Sequence, residues 1–238
     1  MRKWKTKNGF EVFRIISGRS NVYLISTPKG DILVDTGWKF SFDGLQKKII
    51  AMALLQPVSF LILTHTHFDH CYNAHLIRQQ ENCKILMSER EEAYTQCGYT
   101  PIPSGTLAIT KILSRFGKVI GQKWFGYPPF HPDQLIKDEL DLSPEGYGVK
   151  IISTPGHSTG SISVIIDHEI AVVGDTMLGI FRKSIFPPFA DDVNEMILSW
   201  GKLLKTECQI FLPGHGGAVT RDLLQREYEN YNRKWDIL

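Results

Sequence analysis

One short apolar run ends in an unusually dense group of metal-binding side chains, and this arrangement limits the folds open to the chain. Residues 60–63 predict a buried strand, and residues 64–70, directly after it, read Thr-His-Thr-His-Phe-Asp-His. In α/β proteins, ligands are bound at the ends of strands. Neutral imidazole and carboxylate groups suit zinc, iron or manganese. The sequence therefore predicts a metal site where this strand ends.

The spacing within the cluster indicates two metal positions rather than one. His65 and His67 are two residues apart, so an extended backbone points both side chains the same way. Asp69 and His70 fall on the expected turn into a helix, where they can face a second point. The cluster holds three of the eight histidines in a chain of 238 residues, a density that is hard to obtain by chance.

Four other predicted strands also end on a histidine or an aspartate. They cover residues 31–34, 149–153, 170–174 and 209–212, and the side chains that follow them are Asp35, His157, Asp175 and His215. If these strands share one core, their ends can converge on one edge of the fold. We therefore expect a single site built from strand ends that are far apart in the sequence.

A converged set of this size can hold two divalent metal ions. Six of its side chains form two ligand triads: His65, His67 and His157, and Asp69, His70 and His215. Asp175 would bridge the ions, because a carboxylate has two oxygens and can bind two cations about 3.5–4 Å apart. Each ion would keep an open position for water, as catalytic sites do. Asp35 is left over, and we expect it to orient the cluster loop by hydrogen bonding.

The overall composition is that of an ordinary soluble globular protein. We expect residues 1–238 to form one domain. The formal net charge of +2 gives no support for a nucleic-acid or membrane partner, and no apolar run is long enough for a transmembrane helix. The four cysteines show no paired spacing, which favours reduced thiols and a cytoplasmic location. Cys71, beside the cluster, is expected to be a buried thiol rather than a ligand.

Residues 95–146 differ in character from the rest of the chain. They contain six prolines and many aromatic residues, and residues 107–116 predict a helix that ends at Gly117. The segment is too long for a plain loop. We interpret it as an insertion that covers one rim of the site, and an inert flap or a subunit contact in a homodimer is an equal alternative. The candidate walls of a substrate pocket are Trp124, Phe125, Tyr127, Phe130 and His131.

Three longer helices are predicted by apolar residues at helical spacing. They cover residues 42–55, with Phe42 and Leu55 at the two ends of the apolar face, residues 192–204 and residues 220–231. His75 and His168 fall outside the set of strand ends, and we expect both to be ordinary surface or half-buried residues.

The ordered set of motifs resembles the metallo-β-lactamase superfamily. The motifs are Asp35, the His-x-His-x-Asp-His cluster at 65–70, Thr-Pro-Gly-His-Ser-Thr-Gly-Ser at 154–161, Gly-Asp-Thr at 174–176 and Pro-Gly-His-Gly at 213–216. The resemblance implies an α+β fold, the αββα sandwich of two mixed β-sheets flanked by helices. It also implies a dinuclear centre, commonly zinc and sometimes iron or manganese, with the division of ligands given above.

A centre of this kind is typical of hydrolysis. Two cations lower the pKa of a bridging water toward neutrality and stabilise the oxyanion that develops during attack. Asp69 is expected to be catalytic, because it can orient the nucleophile and carry its proton besides binding metal. We therefore expect a metal-dependent hydrolase that acts on a small ester, thioester or lactone.

The motifs define the branch of the superfamily less closely. True β-lactamases usually have another residue at the bridging position, so Asp175 argues against that activity. Acyl-homoserine-lactone lactonases place a tyrosine three positions later, where this chain has Leu178. A hydrolase similar to glyoxalase II or to the lactonases is the main expectation. The alternatives on the same scaffold are an iron-dependent oxidoreductase similar to persulfide dioxygenases, a phosphodiesterase and a non-catalytic binding protein.

Overall fold

Two β-sheets lie face to face in the computed structural model, which describes residues 1–52 and 57–235. The first sheet has seven strands in chain order: β1 (Arg2–Lys5), β2 (Glu11–Ile16), β3 (Val22–Ser26), β4 (Asp31–Val34), β5 (Val58–Ile62), β6 (Lys84–Ser88) and β7 (Gln134–Ile136). Strands β1 to β4 pair antiparallel, and β4 to β7 pair parallel. The parallel strands all end at the same edge of this sheet.

The second sheet has six strands and one parallel pair. Its strands are β8 (Glu139–Asp141), β9 (Val149–Ser153), β10 (Ile162–Ile166), β11 (Ile170–Gly174), β12 (Ile210–Pro213) and β13 (Val219–Thr220). They lie in the order β13-β12-β11-β10-β9-β8, and only β11 and β12 run parallel. Every residue of β10 and β11 is buried, which explains their continuous apolar sequences.

Seven α-helices connect or cover the sheets. They are α1 (Phe42–Met52), α2 (Phe68–Cys71), α3 (Ala74–Glu81), α4 (Glu92–Cys97), α5 (Ala108–Phe125), α6 (Val193–Leu204) and α7 (Arg221–Trp235), with a 3₁₀ turn at Glu89–Glu91. Helix α6 shows how the sequence sets their position. Asp192 caps its N-terminus by accepting from the Glu195 amide at 3.0 Å, and Met196, Trp200 and Leu203 form one buried face.

The apolar side chains form three layers of core. The central layer packs residues of both sheets together, and Ile32, Val34, Ile162 and Val164 belong to it. A second layer lies between the first sheet and helices α1 and α3, where Leu33 contributes from β4. The third lies between the second sheet and helix α6. The predicted αββα sandwich of two mixed sheets is therefore confirmed.

The structure also differs from the sequence predictions at several elements. Helix α5 does not end at Gly117 but continues to Phe125, with a non-helical residue at Gly121. The segment 95–146 is not all cover, because β7 and β8 lie within it and each forms an edge of a sheet. The predicted helix 42–55 is described as far as Met52, and Leu55 lies outside the described residues. None of the described helices combines the length and apolar character needed to cross a bilayer.

Candidate metal centre

Seven side chains from four strand ends meet at one edge of the sandwich. The loop after β5 supplies four of them, and the segments after β9, β11 and β12 supply one each: His65, His67, Asp69 and His70, then His157, Asp175 and His215. All five histidines are buried or nearly so. These are the seven ligands predicted from the sequence, and the fold brings all of them together.

The first predicted triad is closely grouped. His65, His67 and His157 each offer a ring nitrogen, and the three nitrogens lie within 4.8 Å of one another. His67 Nδ1 and His157 Nε2 are 3.1 Å apart. Three imidazoles aimed at one point form the type of ligand set that zinc and iron accept.

The second triad lies beside the first, with Asp175 between them. Asp69, His70 and His215 also offer atoms within 4.8 Å of one another. Asp175 Oδ2 is 3.1 Å from His215 Nε2 and 3.7 Å from His157 Nε2, and its Oδ1 is 3.5 Å from His70 Nε2. The carboxylate therefore contacts members of both triads, as expected of a bridging group.

The outward nitrogens of four histidines have their own hydrogen-bond partners. His67 Nε2 donates to the Pro101 carbonyl at 3.3 Å, and His157 Nδ1 donates to the Phe189 carbonyl at 3.0 Å. A carbonyl only accepts, so each outward nitrogen carries the proton and the inward nitrogen keeps its lone pair. His65 Nδ1 lies 3.1 Å from Thr64 Oγ1. These contacts fix the rings in an orientation suited to metal binding.

Asp35 holds the fourth ring and the start of the cluster loop. Its Oδ2 lies 2.8 Å from His70 Nδ1, and its Oδ1 accepts from the Thr64 amide at 2.8 Å. Asp35 has a φ of 63°, a left-handed conformation that non-glycine residues adopt infrequently. The carboxylate thus orients the loop from behind the ligands, in the position expected from the sequence.

Burial keeps the first triad neutral. Removal of the rings from water lowers the pKa of His67 to about 4 and that of His157 to about 4, and it lowers the pKa of His65 as well. A neutral imidazole has a free lone pair at neutral pH. The first triad therefore requires no proton release before it binds a cation.

The second triad has the opposite tendency. Burial opposes a charge on His70 and His215, but the neighbouring carboxylates together outweigh it and raise the pKa of both rings: Asp175 acts on both, Asp35 on His70 and Asp69 on His215. Burial likewise opposes ionisation of Asp175, and His215 and His70 lower the pKa of that carboxyl despite it. Protonated imidazole is therefore favoured at His70 and His215 beside an ionised Asp175.

Two inward atoms indicate that the cluster is suited to cations. His65 Nε2 and Asp175 Oδ1 are buried and have no hydrogen-bond partner among the described residues. Buried polar atoms are almost always paired, because an unpaired group costs about 1–3 kcal/mol. One atom belongs to the first triad and the other to the carboxylate between the triads, so a bound metal would satisfy both.

Glycine is required at two points around the cluster. Gly214 precedes His215, and a Cβ there would overlap Asp175 Oδ1. Gly156 precedes His157, has a φ of +128° and packs directly on the backbone of Met196. These positions explain the glycines beside two of the predicted ligands.

A cavity of about 540 Å³ opens onto the ligands. His67, Asp69, His157, Asp175 and His215 lie on its floor. Most of its walls are apolar and come from helix α5, the loop before it and the segment 178–189: Ile102, Pro103, Leu113, Phe116, Ile120, Phe125, Leu178, Ile180, Pro187, Pro188 and Phe189. An apolar wall beside polar catalytic groups is typical of small-molecule sites.

The predicted pocket walls require correction. Trp124 is 68% exposed and points away from the cavity lining, and His131 is exposed on the loop before β7. Tyr127 and Phe130 are buried in the core of the first sheet. The prediction ended the helix at Gly117 and so did not place Trp124 on α5. The side of the helix that Trp124 occupies was therefore not considered. Of the five aromatic candidates, only Phe125 lines the cavity.

Tyr127 instead supports the cluster loop from beneath. The Tyr127 hydroxyl is 2.8 Å from Thr100 Oγ1, and the Thr100 hydroxyl donates to the Thr66 carbonyl at 2.7 Å. Cys71 also donates to this carbonyl at 3.2 Å, and burial raises the pKa of its thiol. Cys71 is therefore a buried core thiol, as expected.

Two residues at the site were not predicted from the sequence. Glu91 is buried, and its carboxylate accepts from the Thr66 amide at 2.6 Å and from the Gly160 amide at 3.2 Å, so it links two ligand loops. Arg19 lies in the turn between β2 and β3 and lines the cavity. No local pattern marks either residue, because both act across long sequence distances.

The comparisons with known proteins agree with this arrangement. The family model described as the metallo-beta-lactamase superfamily matches residues 16–215. A probable metallo-hydrolase of Methanocaldococcus jannaschii is 30% identical over 66% of this chain and 67% of its own length. An atrochrysone carboxyl ACP thioesterase of Aspergillus fumigatus is 28% identical over 90% of this chain, which spans 56% of that protein.

Solved structures show the same fold. The archaeal protein ST1585 from Sulfolobus tokodaii has a TM-score of 0.62 at 21% identity, covering 92% of this chain and 85% of that one. The protein TTHA1623, solved in a di-iron-bound form, has a TM-score of 0.64 at 22% identity, covering 90% of this chain and 98% of that one. The family match, the two-sheet fold and the seven converging ligands together establish that the chain belongs to the metallo-β-lactamase superfamily.

Proposed function

We propose that the protein is a dinuclear metal-dependent hydrolase of a small ester, thioester or lactone. One observation carries the proposal: two triads of buried or mostly buried metal-binding side chains have the carboxylate of Asp175 between them, beside an apolar cavity. When bound, two divalent ions supply a water of lowered pKa and positive charge for the developing oxyanion. Zinc is the proposed metal, and the di-iron form of one structural neighbour makes iron the metal to test against it.

The residues of the chain have distinct tasks in this proposal. His65, His67 and His157 hold one ion without proton release, because their rings are neutral. Asp69 reaches the cavity, and its Oδ2 lies 3.7 Å from His215 Nε2, so it can orient a water and accept its proton. The apolar walls exclude bulk water, which strengthens the electrostatic interactions at the floor.

The shape of the cavity favours an acyl substrate. Aliphatic and aromatic side chains from α5 and from the segment 178–189 face the ligands, and this surface suits a hydrocarbon group better than a sugar or a nucleotide. The fungal relative is named as a thioesterase, which supports a thioester as the first substrate to test. Turnover of a panel of acyl thioesters, lactones and bis-p-nitrophenyl phosphate distinguishes the proposed acyl hydrolase from a phosphodiesterase.

Replacement of Asp175 tests the proposal directly. Asp175→Ala should lower the metal content from two ions per chain and abolish hydrolysis, because each ion loses a ligand. The measurement is metal analysis of the purified protein together with turnover of the substrate panel. Asp138→Ala is the matched control, since Asp138 is exposed and its carboxylate has no bond partner among the described residues. An Asp175→Ala protein that keeps both ions and the full rate contradicts the bridging role. A wild-type protein that contains one iron per chain and consumes oxygen favours the iron-dependent oxidoreductase.

A further inference from the structure

One cationic side chain stands at the wall of the apolar cavity. Arg19 lines the cavity beside Asp69, and it is the one lysine or arginine among the described residues that does so. Its side chain is 47% exposed, so a ligand that enters the cavity can reach it. A guanidinium in a mostly apolar wall can pair with an anionic group of a ligand, and this makes Arg19 a marker of ligand chemistry.

Aromatic rings hold the guanidinium in place. Its central carbon lies 4.7 Å from the ring centre of Trp38 and 5.0 Å from that of Phe68. The next residue, Ser20, donates to the Asp69 carbonyl at 2.5 Å and ties the turn to the cluster loop. Stacking on two rings reduces the conformational freedom that an arginine loses when it binds an anion.

The protein itself provides Arg19 with little hydrogen bonding. The nearest acidic atom is Asp69 Oδ2, 4.0 Å from Arg19 Nε, which is too far for a hydrogen bond. The two terminal nitrogens have no hydrogen-bond partner among residues 1–52 and 57–235. Asp69 is also engaged with His215 at 3.7 Å and belongs to a ligand triad. The planar fork of Arg19 is therefore free for a second partner.

We propose that the cavity binds an amphiphilic anion, with its apolar body against helix α5 and its carboxylate or phosphate at Arg19. The claim that this anion is the substrate rests on the proposed hydrolase function. The claim that the cavity binds such an anion is independent of that function. Arg19 forms paired hydrogen bonds with a planar or tetrahedral anion, and Phe116 and Ile120 contact the apolar body. The substrate is thus an acyl ester or thioester with a negative charge close to the reacting carbon.

A matched pair of fluorescent probes tests the inference without any turnover. 8-Anilinonaphthalene-1-sulfonate and N-phenyl-1-naphthylamine share one aromatic skeleton, and only the first carries an anionic group. Arg19→Gln should weaken binding of the sulfonate about tenfold, which corresponds to about 1.4 kcal/mol, and leave the neutral probe within twofold. Phe116→Ala should weaken both. Arg182→Gln is the control, because Arg182 is exposed and does not line the cavity.

Competition identifies the type of anion. Dodecanoate and dodecyl phosphate are each used to displace the neutral probe, with dodecanol as the uncharged reference. At least one anion should displace it about tenfold more effectively than dodecanol in the wild-type protein, and the advantage should disappear in Arg19→Gln. The anion that displaces the probe more effectively then shows whether Arg19 prefers a carboxylate or a phosphate.

Two outcomes overturn the inference. One is equal binding of the sulfonate by the wild-type and Arg19→Gln proteins. The other is an equal loss of both probes in Arg19→Gln, which would mean that the residue only supports the shape of the cavity. A protein that binds the anions through Arg19 but hydrolyses nothing in the panel would refute the proposed function and leave this binding site intact.

Discussion

The five histidines of the centre divide into two groups by their protonation. Burial lowers the pKa of His67 and His157 to about 4, whereas Asp175 raises the pKa of His70 and His215 against the effect of burial. Groups of lowered pKa are already deprotonated at pH 7 and bind a cation without proton release. Groups of raised pKa must lose a proton first, so their affinity for metal falls as pH falls.

This difference predicts that the two ions leave at different pH values. On acidification from about pH 7.5 to about pH 5.5, the ion of the second triad should be lost first, with affinity falling up to about tenfold per pH unit for each proton displaced. The ion held by His65, His67 and His157 should remain. Equilibrium dialysis at a series of pH values gives the number of ions bound. In His157→Ala, the ion that resists acid should be missing. Loss of both wild-type ions at one common pH would contradict the assignment.

Glu91 connects two ligand loops through a buried carboxyl group. Its Oε2 accepts from Thr66 N at 2.6 Å and from Thr66 Oγ1 at 2.8 Å, and its Oε1 accepts from Gly160 N at 3.2 Å. No ion-pair partner is present among the described residues, so these three donors are its polar contacts. Thr66 lies between two ligands, and Gly160 lies in the loop of His157.

Glu91→Gln should therefore weaken both the fold and the metal site. Glutamine keeps one accepting oxygen, but its NH2 group replaces the other and cannot accept from a backbone N–H, so we expect the free energy of unfolding to fall by about 2–3 kcal/mol. Metal affinity of the folded protein should fall about tenfold, because the ligand loops lose their link. Urea unfolding of chelated protein and competitive metal titration measure the two effects. Glu89→Gln, an exposed neighbour, is the control. Normal metal affinity in Glu91→Gln would limit the residue to a structural role.

Among the secondary-structure elements, those with a strong apolar pattern could be predicted from the sequence, and those with a weak pattern could not. Strands β5 and β11, which lead into candidate ligands, are short and almost wholly buried, so their sequences are nearly continuous apolar runs. Strands β1, β7 and β8 are half exposed at sheet edges, and pairing with a neighbour rather than their own sequence makes them strands. Gly117 does not end helix α5. The glycine is there because the helix packs on Ile102, where a Cβ would overlap the isoleucine side chain.

Helix α5 should determine which acyl groups the cavity accepts. Phe116 lines the cavity, whereas Trp124 is on the same helix but outside the lining. Phe116→Ala should raise the KM for long-chain substrates about tenfold or more relative to short-chain ones, because removal of the ring loses apolar contact of about 2 kcal/mol. Metal content should stay at the wild-type level.

Trp124→Ala is the matched control for that experiment. It removes a larger aromatic side chain that is as exposed as Phe116 but does not line the cavity, so the ratio of KM values for long and short chains should not change. A change in Trp124→Ala equal to that in Phe116→Ala would mean that the helix moves as a whole during binding, and the cavity lining would not be the cause.

At the scale of the whole molecule, the centre joins the two sheets. Four ligands follow strand β5 of the first sheet, and three follow strands of the second. Near this edge, Ile162 N donates to the Thr64 carbonyl at 2.9 Å and Tyr23 Oη donates to the Pro213 carbonyl at 2.8 Å. The motifs predicted that these seven side chains lie together, since most of them follow a strong strand signal. The contacts of Arg19, Glu91 and Tyr127 depend on tertiary packing and leave no pattern in the sequence.

A centre shared by two sheets should stabilise the whole fold when metal binds. At a free metal concentration one hundred times the dissociation constant, binding to the native state adds about 2.7 kcal/mol. For a chain of this size, that corresponds to a rise in Tm of about 5–10 °C, which a chelator should reverse. The central core contains residues of both sheets, so unfolding should remain a single calorimetric transition with and without metal. Asp175→Ala should show a much smaller shift. If chelation instead splits the transition in two, the sheets unfold separately and the core does not couple them.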